Sequence, residues 1–277
     1  MFLSLLQVNV SGDPDRHPPG RQWLGDIYRV HQRLWMAFPD EARRAEDPFF
    51  LATWKGPAIA EPKPTRQGAG FLFRIERHGT PTILVQSVQR PEWEYAFQNA
   101  PYLLAAKPSM REFEPAPRRD QTYRFRLLAN VVRRRSILDP SGKMRKKPHL
   151  PRKKRAEMLV RPGPVPDTLP PDPAERDRLL RARWDPWREW LKSMGASRGF
   201  RPLEDEPVPL FMEALRTAVR KPDNQDPTKI SVKCFNAGLF DGVLVCTDPD
   251  RLRDAVIEGL GNAKAFGFGL LSLLPLQ

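Results

Sequence analysis

The first ten residues hold Phe2, Leu3, Leu5, Leu6, Val8 and Val10, an apolar run that reads as a strand. It is short and has neither a basic leader region nor a cleavage site, so it is not read as a signal. After a loop containing Pro18, Pro19 and Gly20 the period changes. Leu24, Ile27, His31, Leu34 and Phe38 fall on one helical stripe that starts near Trp23 and is closed by Pro39 and Asp40. Residues 71–77 and 82–88 read as two strands joined around His78-Gly79-Thr80-Pro81, a hairpin signal. A short helical piece is expected over 91–98. Tyr123–Val132 alternates, with Arg124 and Arg126 opposite Tyr123, Phe125 and Leu127, and reads as a further strand. The order β-α-β-β-α-β is that of ferredoxin-like and RNA-recognition modules.

A similar order follows. Residues 155–161 are expected to be a strand, and Asp172 with Pro173 to start a helix running to about Met194 and kinked by Pro186. Lys229–Phe235 and Leu239–Cys246 are expected to pair as a hairpin across Asn236-Ala237-Gly238. Asp248 caps a helix with Pro249 at its first position, Gly261 ends it, and Phe268–Leu274 closes the chain as a last strand. The fold class expected is therefore α+β, two tandem ferredoxin-like (RRM-like) domains. Their expected bounds are 1–137 and 155–277, with 138–154 a basic linker. A second irregular stretch is 162–173, where six of twelve residues are proline.

Charge adds a partner to this picture. The chain of 277 residues carries a formal +13. Fifteen Lys or Arg stand against two Asp within residues 118–155, so one stretch of 38 residues holds the whole excess. Such a run is either a solvated face or a binding surface for a polyanion. Its place beside a strand favours nucleic acid over an anionic membrane surface. No apolar run is long enough to span a membrane. Two cysteines, Cys234 and Cys246, are too few for a disulfide scaffold and fit a reduced, cytoplasmic setting.

The four histidines, His17, His31, His78 and His149, form no cluster with Cys or carboxylates at metal-ligand spacing, so metal: none and cofactors: none are the expectations. RNA can nonetheless be cut without a metal, because its 2′-hydroxyl is a built-in nucleophile that needs only proton transfer and charge stabilisation. His31 is the candidate for that transfer, with Tyr28 three positions before it and Arg29 and Arg33 on either side. On the residues alone, a packed core histidine is the competing reading. The glycine-rich segment Gly259–Gly269 follows a helix and leads into a strand, the reverse of a nucleotide-binding loop. Its backbone with Lys264 is either an anion contact or simply a helix cap and turn.

Three ordered segments carry a resemblance: Asp26-Ile-Tyr28-Arg-Val-His31-Gln-Arg-Leu-Trp35-Met-Ala-Phe-Pro39, Tyr123-Arg-Phe-Arg-Leu-Leu-Ala-Asn130 with Phe71–Arg74, and Phe240–Pro249 followed by Gly259–Pro275. Together they resemble the CasE family, the repeat-processing endoribonuclease subunit of the type I-E CRISPR complex Cascade. The resemblance implies tandem ferredoxin-like domains that bind the CRISPR repeat stem-loop and cut at its 3′ base, leaving a 2′,3′-cyclic phosphate and a 5′-hydroxyl. His31 would be the proton-transfer residue and Tyr28 would position the ribose or stabilise charge. Arg126, Arg133, Arg134, Arg135, Lys143, Arg145, Lys146, Lys147, Lys153 and Lys154 would hold the stem. Lys264, Gly267 and Gly269 would lie near the RNA, and the enzyme would remain with its product beside the other Cascade subunits, including the backbone protein. Some members place a lysine in the His31 helix where this chain has Met36, leaving Arg29 or Arg33 to supply the charge. The main alternative is a subunit of the same complex that holds the crRNA hairpin without cutting. A general basic RNA-binding protein is a third.

Overall fold

The computed structural model describes residues 1–10, 19–39, 70–77, 79–134, 157–159, 161–164, 168, 170–204, 209–222 and 230–276. Strand β1 (Phe2–Gln7) is followed by helices α1 (Pro19–Gly25) and α2 (Ile27–Trp35), strands β2 (Phe71–Glu76) and β3 (Thr82–Ser87), helix α3 (Trp93–Phe97) and strand β4 (Ser109–Glu112). These strands form one antiparallel sheet in the order β2-β3-β1-β4. The alternation of β1 is what docks the helices: Ser4, Leu6 and Val8 are buried while Leu5 stays exposed. Ser4 Oγ accepts the Trp93 indole N–H at 2.9 Å, so the one hydroxyl under α3 is satisfied. The single helix expected from Trp23 to Phe38 is two. Gly25 and Asp26 break it, and the Asp26 carboxylate accepts from Tyr28 N and Arg29 N to start α2 afresh.

The second sheet begins with β5 (Thr122–Asn130). A two-stranded ribbon, β6 (Val132–Arg134) with β7 (Glu157–Leu159), leads to α4 (Pro173–Ala182) and α5 (Asp185–Arg198). Then come β8 (Phe200–Leu203), β9 (Phe211–Pro222), β10 (Ile230–Cys246), α6 (Pro249–Glu258) and β11 (Leu271–Pro275). The sheet order is β11-β5-β10-β8, with β9 also on β10. In the first sheet the first strand lies between the third and fourth and the second is outermost; in the second sheet β5 likewise lies between β10 and β11, with β8 and β9 together along the other edge of β10, which makes two ferredoxin-like units in tandem, as expected.

Several expectations are corrected. Tyr123–Val132 does not close the first unit. It opens the second, because its apolar face (Tyr123, Phe125, Leu127, Ala129) packs with Trp187, Phe240 and Leu271, and it pairs on both sides. The exposed β4 closes the first sheet, so the change of sheet falls between Glu112 and Thr122 rather than near 137. Glu157–Leu159 is a ribbon partner of β6 and not a sheet strand. The expected hairpin of Lys229–Phe235 with Leu239–Cys246 is not formed: Ile230–Cys246 is one 17-residue strand, β10, lying along β9 from Ile230↔Pro222 to Asp241↔Phe211, and Lys229 lies outside the described residues. Gly238 is mid-strand because the Trp187 ring crosses it, and a Cβ there would stand 2.7 Å from Trp187 Cζ3. The helix expected from Asp172 to Met194 breaks at Arg183 and Trp184, which leaves Pro186 in the first turn of α5, where it costs no hydrogen bond. α6 ends at Gly259 (φ +74°) and not at Gly261. His78 lies outside the described residues.

Each unit has its own core, and the two are joined by polar and apolar contacts. Arg74 of β2, 4% exposed, donates to Arg126 O at 3.1 Å and Leu270 O at 3.2 Å. Gln86 of β3 donates to Val256 O at 2.6 Å. Val219 of β9 and the half-buried Phe235 of β10 pack into the first unit's core.

Candidate active site

α2 presents Ile27, Val30 and Leu34 to the core, which turns Tyr28, His31 and Trp35 to its half-buried flank. The His31 ring lies nearly parallel to Phe71 (centroids 5.3 Å, 24°) and Phe73 (6.2 Å, 21°), and meets Trp35 edge-on at 5.8 Å. Its Nδ1 is buried without a hydrogen-bond partner among the described residues, whereas Nε2 is not among the buried, unpartnered atoms. Burial pushes the imidazole pKa down to about 4, so the ring is neutral at pH 7. A neutral imidazole can take a proton at its unprotonated ring nitrogen and return it from there. Tyr28 stands one turn away on the same flank.

The glycine-rich segment comes back to this helix. A 3-10 turn over Lys264–Phe266 ends at Gly267 (φ +81°), where a Cβ would lie 3.2 Å from Phe73 Cε2 and 3.5 Å from Ile27 Cδ1. The same Phe73 thus backs His31 and touches Gly267. Gly269 (φ +91°) is buried against Leu260 O. Lys264 is committed in this state: its ammonium donates to Glu258 O at the end of α6.

The expected cationic residues divide into three groups. Arg29 is exposed and 3.3 Å from Asp26. Arg33, two residues and so about 200° from His31 around the helix, donates to Ala96 O (3.0 Å) and Asn99 Oδ1 (2.7 Å). Its guanidinium is therefore directed at α3 and not at the imidazole. Arg126 bonds Asp241 Oδ2 through Nε at 2.7 Å and Glu76 Oε2 at 3.2 Å, part of a chain that also contains Arg74 and Arg124. Arg133 and Arg134 are in β6, opposite Met158 and Glu157. Arg135, Lys143, Arg145, Lys146, Lys147, Lys153 and Lys154 lie outside the described residues. Sequence reasoning overlooked Phe71, Phe73 and Trp35 as the walls of the His31 site. The signal was present in the aromatic at i+4 from His31 and the alternating aromatics of β2. Among the described residues no group of three His, Cys, Asp or Glu could hold a metal ion, and no helix is long and apolar enough to cross a membrane.

Two βαββαβ units, with a histidine helix in the first buttressed by a glycine-rich segment of the second, define a tandem ferredoxin-like protein. The chain belongs to the CRISPR-associated protein family, whose model matches residues 1–275. The resemblance to CasE read from the three segments is borne out by its relatives. The CRISPR-associated endoribonuclease Cse3 of Thermus thermophilus is 29% identical over 198 residues, 70% of this chain and 74% of Cse3. The Cascade subunit CasE of Escherichia coli (strain K12) is 26% identical over 260 residues, 92% of this chain and 96% of CasE. Among solved structures, Cse3 bound to a 19-nucleotide RNA superposes with a TM-score of 0.59 at 25% identity, over 99% of this chain and 100% of that one. Thermus thermophilus Cse3 with an RNA representing a pre-cleavage complex gives 0.54 at 25% identity, over 99% and 98%.

Proposed function

We propose that this protein is a metal-independent endoribonuclease that binds the stem-loop of a CRISPR repeat in precursor crRNA, cuts it, and remains with the product as a subunit of a Cascade-type complex. The observation that carries the reading is His31, a neutral imidazole held against aromatic rings with its Nδ1 buried, in a chain whose relatives are an endoribonuclease and a Cascade subunit. In the reaction the 2′-hydroxyl oxygen bonds to phosphorus as its proton passes to Nε2. The P–O5′ bond breaks, and the leaving oxygen takes a proton to become a 5′-hydroxyl. The 2′,3′-cyclic phosphate stays on the upstream fragment. The imidazolium formed in the first step is the proton source for the second. Tyr28, one turn away, positions the ribose or donates to a phosphoryl oxygen. The Lys and Arg of 118–155 neutralise the stem, and the turn at Gly267 lets the backbone come close to it.

A second reading, the subunit that holds the hairpin without cutting, is favoured by Met36 and by Arg33 being bound to Asn99, which leave little positive charge facing His31. Cleavage of the cognate repeat hairpin in EDTA separates the two. Wild type is expected to give a cyclic-phosphate end, and His31→Ala to lose about 10²–10⁴-fold in rate while keeping its hairpin affinity. Equal cleavage by both would remove His31 from the chemistry, and tight binding without cleavage by either would establish the holding subunit.

A further inference from the structure

Among the described residues, Trp35 is the aromatic of the His31 site least engaged by the two cores. It is half-buried, yet it is absent from the side chains that pack on either core, whereas its neighbours Tyr28, Phe38 and Phe71 are among them. Its ring contacts are with His31, edge-on at 5.8 Å and 62°, and with Phe71 at 6.0 Å and 61°. It follows His31 by four positions on α2, on the same flank as Tyr28, so the indole is offered to whatever approaches Nε2. A tryptophan left half-buried outside the core offers a flat apolar surface that a planar partner can cover. In an RNA substrate the flat apolar surfaces are the bases.

We propose that Trp35 is the stacking platform for a nucleobase adjoining the scissile phosphate, a positioning residue that sets the ribose against His31. The proposal rests on the RNA-cleaving reading above. Stacking on an aromatic is tolerant of base identity, so the platform orients the strand at the cut and leaves recognition of the repeat to the stem contacts. It also supplies a reason for the stem-loop's end to unstack there, since the base gains a protein ring in place of its neighbour.

The test uses the full-length protein and the cognate repeat hairpin, intact or with an abasic site on either side of the cut, under single-turnover conditions in EDTA. Trp35→Leu is expected to cut the intact hairpin about 10–100-fold more slowly, and Trp35→Phe to recover most of that rate. For wild type, one of the two abasic hairpins should show the same loss, and Trp35→Leu should lose nothing further on it. Independent losses from the variant and from both abasic sites would overturn the platform and leave Trp35 a support for His31. A 2-aminopurine at the flanking position reads the stack without cleavage. Quenching on binding to wild type and not to Trp35→Leu sustains the proposal even if no RNA is cut, in which case only the cleavage reading fails. A bound hairpin whose 2-aminopurine is equally bright in both proteins overturns the platform, and absence of hairpin binding overturns both.

Discussion

α2 and α5 occupy the same place in their two units, packed across the sheet after its first strand, and they spend their aromatic residues differently. α5 buries Trp187 completely and Trp190 almost so, against Phe240, with Leu191 between them. α2 leaves Tyr28, His31 and Trp35 half-buried at i, i+3 and i+7, where the α5 residues stand at i, i+3 and i+4. One topology therefore carries a dry core in one half and an accessible, low-dielectric site in the other. The periodicity of the aromatic stripe does not distinguish them. The neighbouring elements do: Trp187 has β10 running beneath it with Gly238 cleared for its ring, whereas the α2 stripe stands at the border of β2.

The comparison predicts a large asymmetry in stability. Trp187→Ala should cost about 3–5 kcal/mol in urea unfolding, the range for an aromatic removed from a close-packed core, while Trp35→Ala should cost far less. Comparable losses would mean that Trp35 is core after all. A middle-sized effect concerns pH. The His31 pKa is about 4 in the folded chain and near ~6.5 when unfolded, so the unfolded state binds the extra proton between those values. Stability should therefore fall as pH drops from 6.5 to 4, and His31→Phe should lack that part of the fall; identical profiles for the two proteins would show that the ring is not desolvated. The same shift predicts that kcat/KM, where a neutral base is needed, stays level from pH 6 to 8 and declines only toward 4. The smallest effect is at the caps. α2 is nine residues long and starts on Asp26, whereas α5 has fourteen residues and no side-chain cap. Asp26→Ala should cost about 1 kcal/mol, measured by denaturant midpoint, with a proportionally larger drop in cleavage because the lost order is at His31.

The sequence made the first unit's strands legible wherever alternation coincided with burial, as in Phe2–Gln7 and Thr82–Ser87, and made the caps at Asp172 and Asp248 legible through local chemistry. It did not show which sheet a strand joins. β5 is visible as a strand from its own residues, but its partners, Phe240 and Leu271, lie more than a hundred positions away. β9 was missed because Phe211–Pro222 mixes charged and apolar residues, and without it β10 looked like a hairpin bent at Gly238. His31 and Tyr28 are legible as candidates from spacing and from the family resemblance. The commitments of Arg33 to Asn99, Arg126 to Asp241 and Lys264 to Glu258 O depend on folded neighbours, so a basic residue's presence in the sequence did not reveal whether its charge was free for phosphate.

Val219 and Phe235 belong to strands of the second sheet but to the core of the first unit, and Gly267 closes over Phe73 behind His31. In the order of synthesis the histidine helix precedes every one of these buttressing residues. A nascent chain thus carries the imidazole long before it carries the setting that lowers its basicity, and that setting is complete only once the turn at Gly267 has been made.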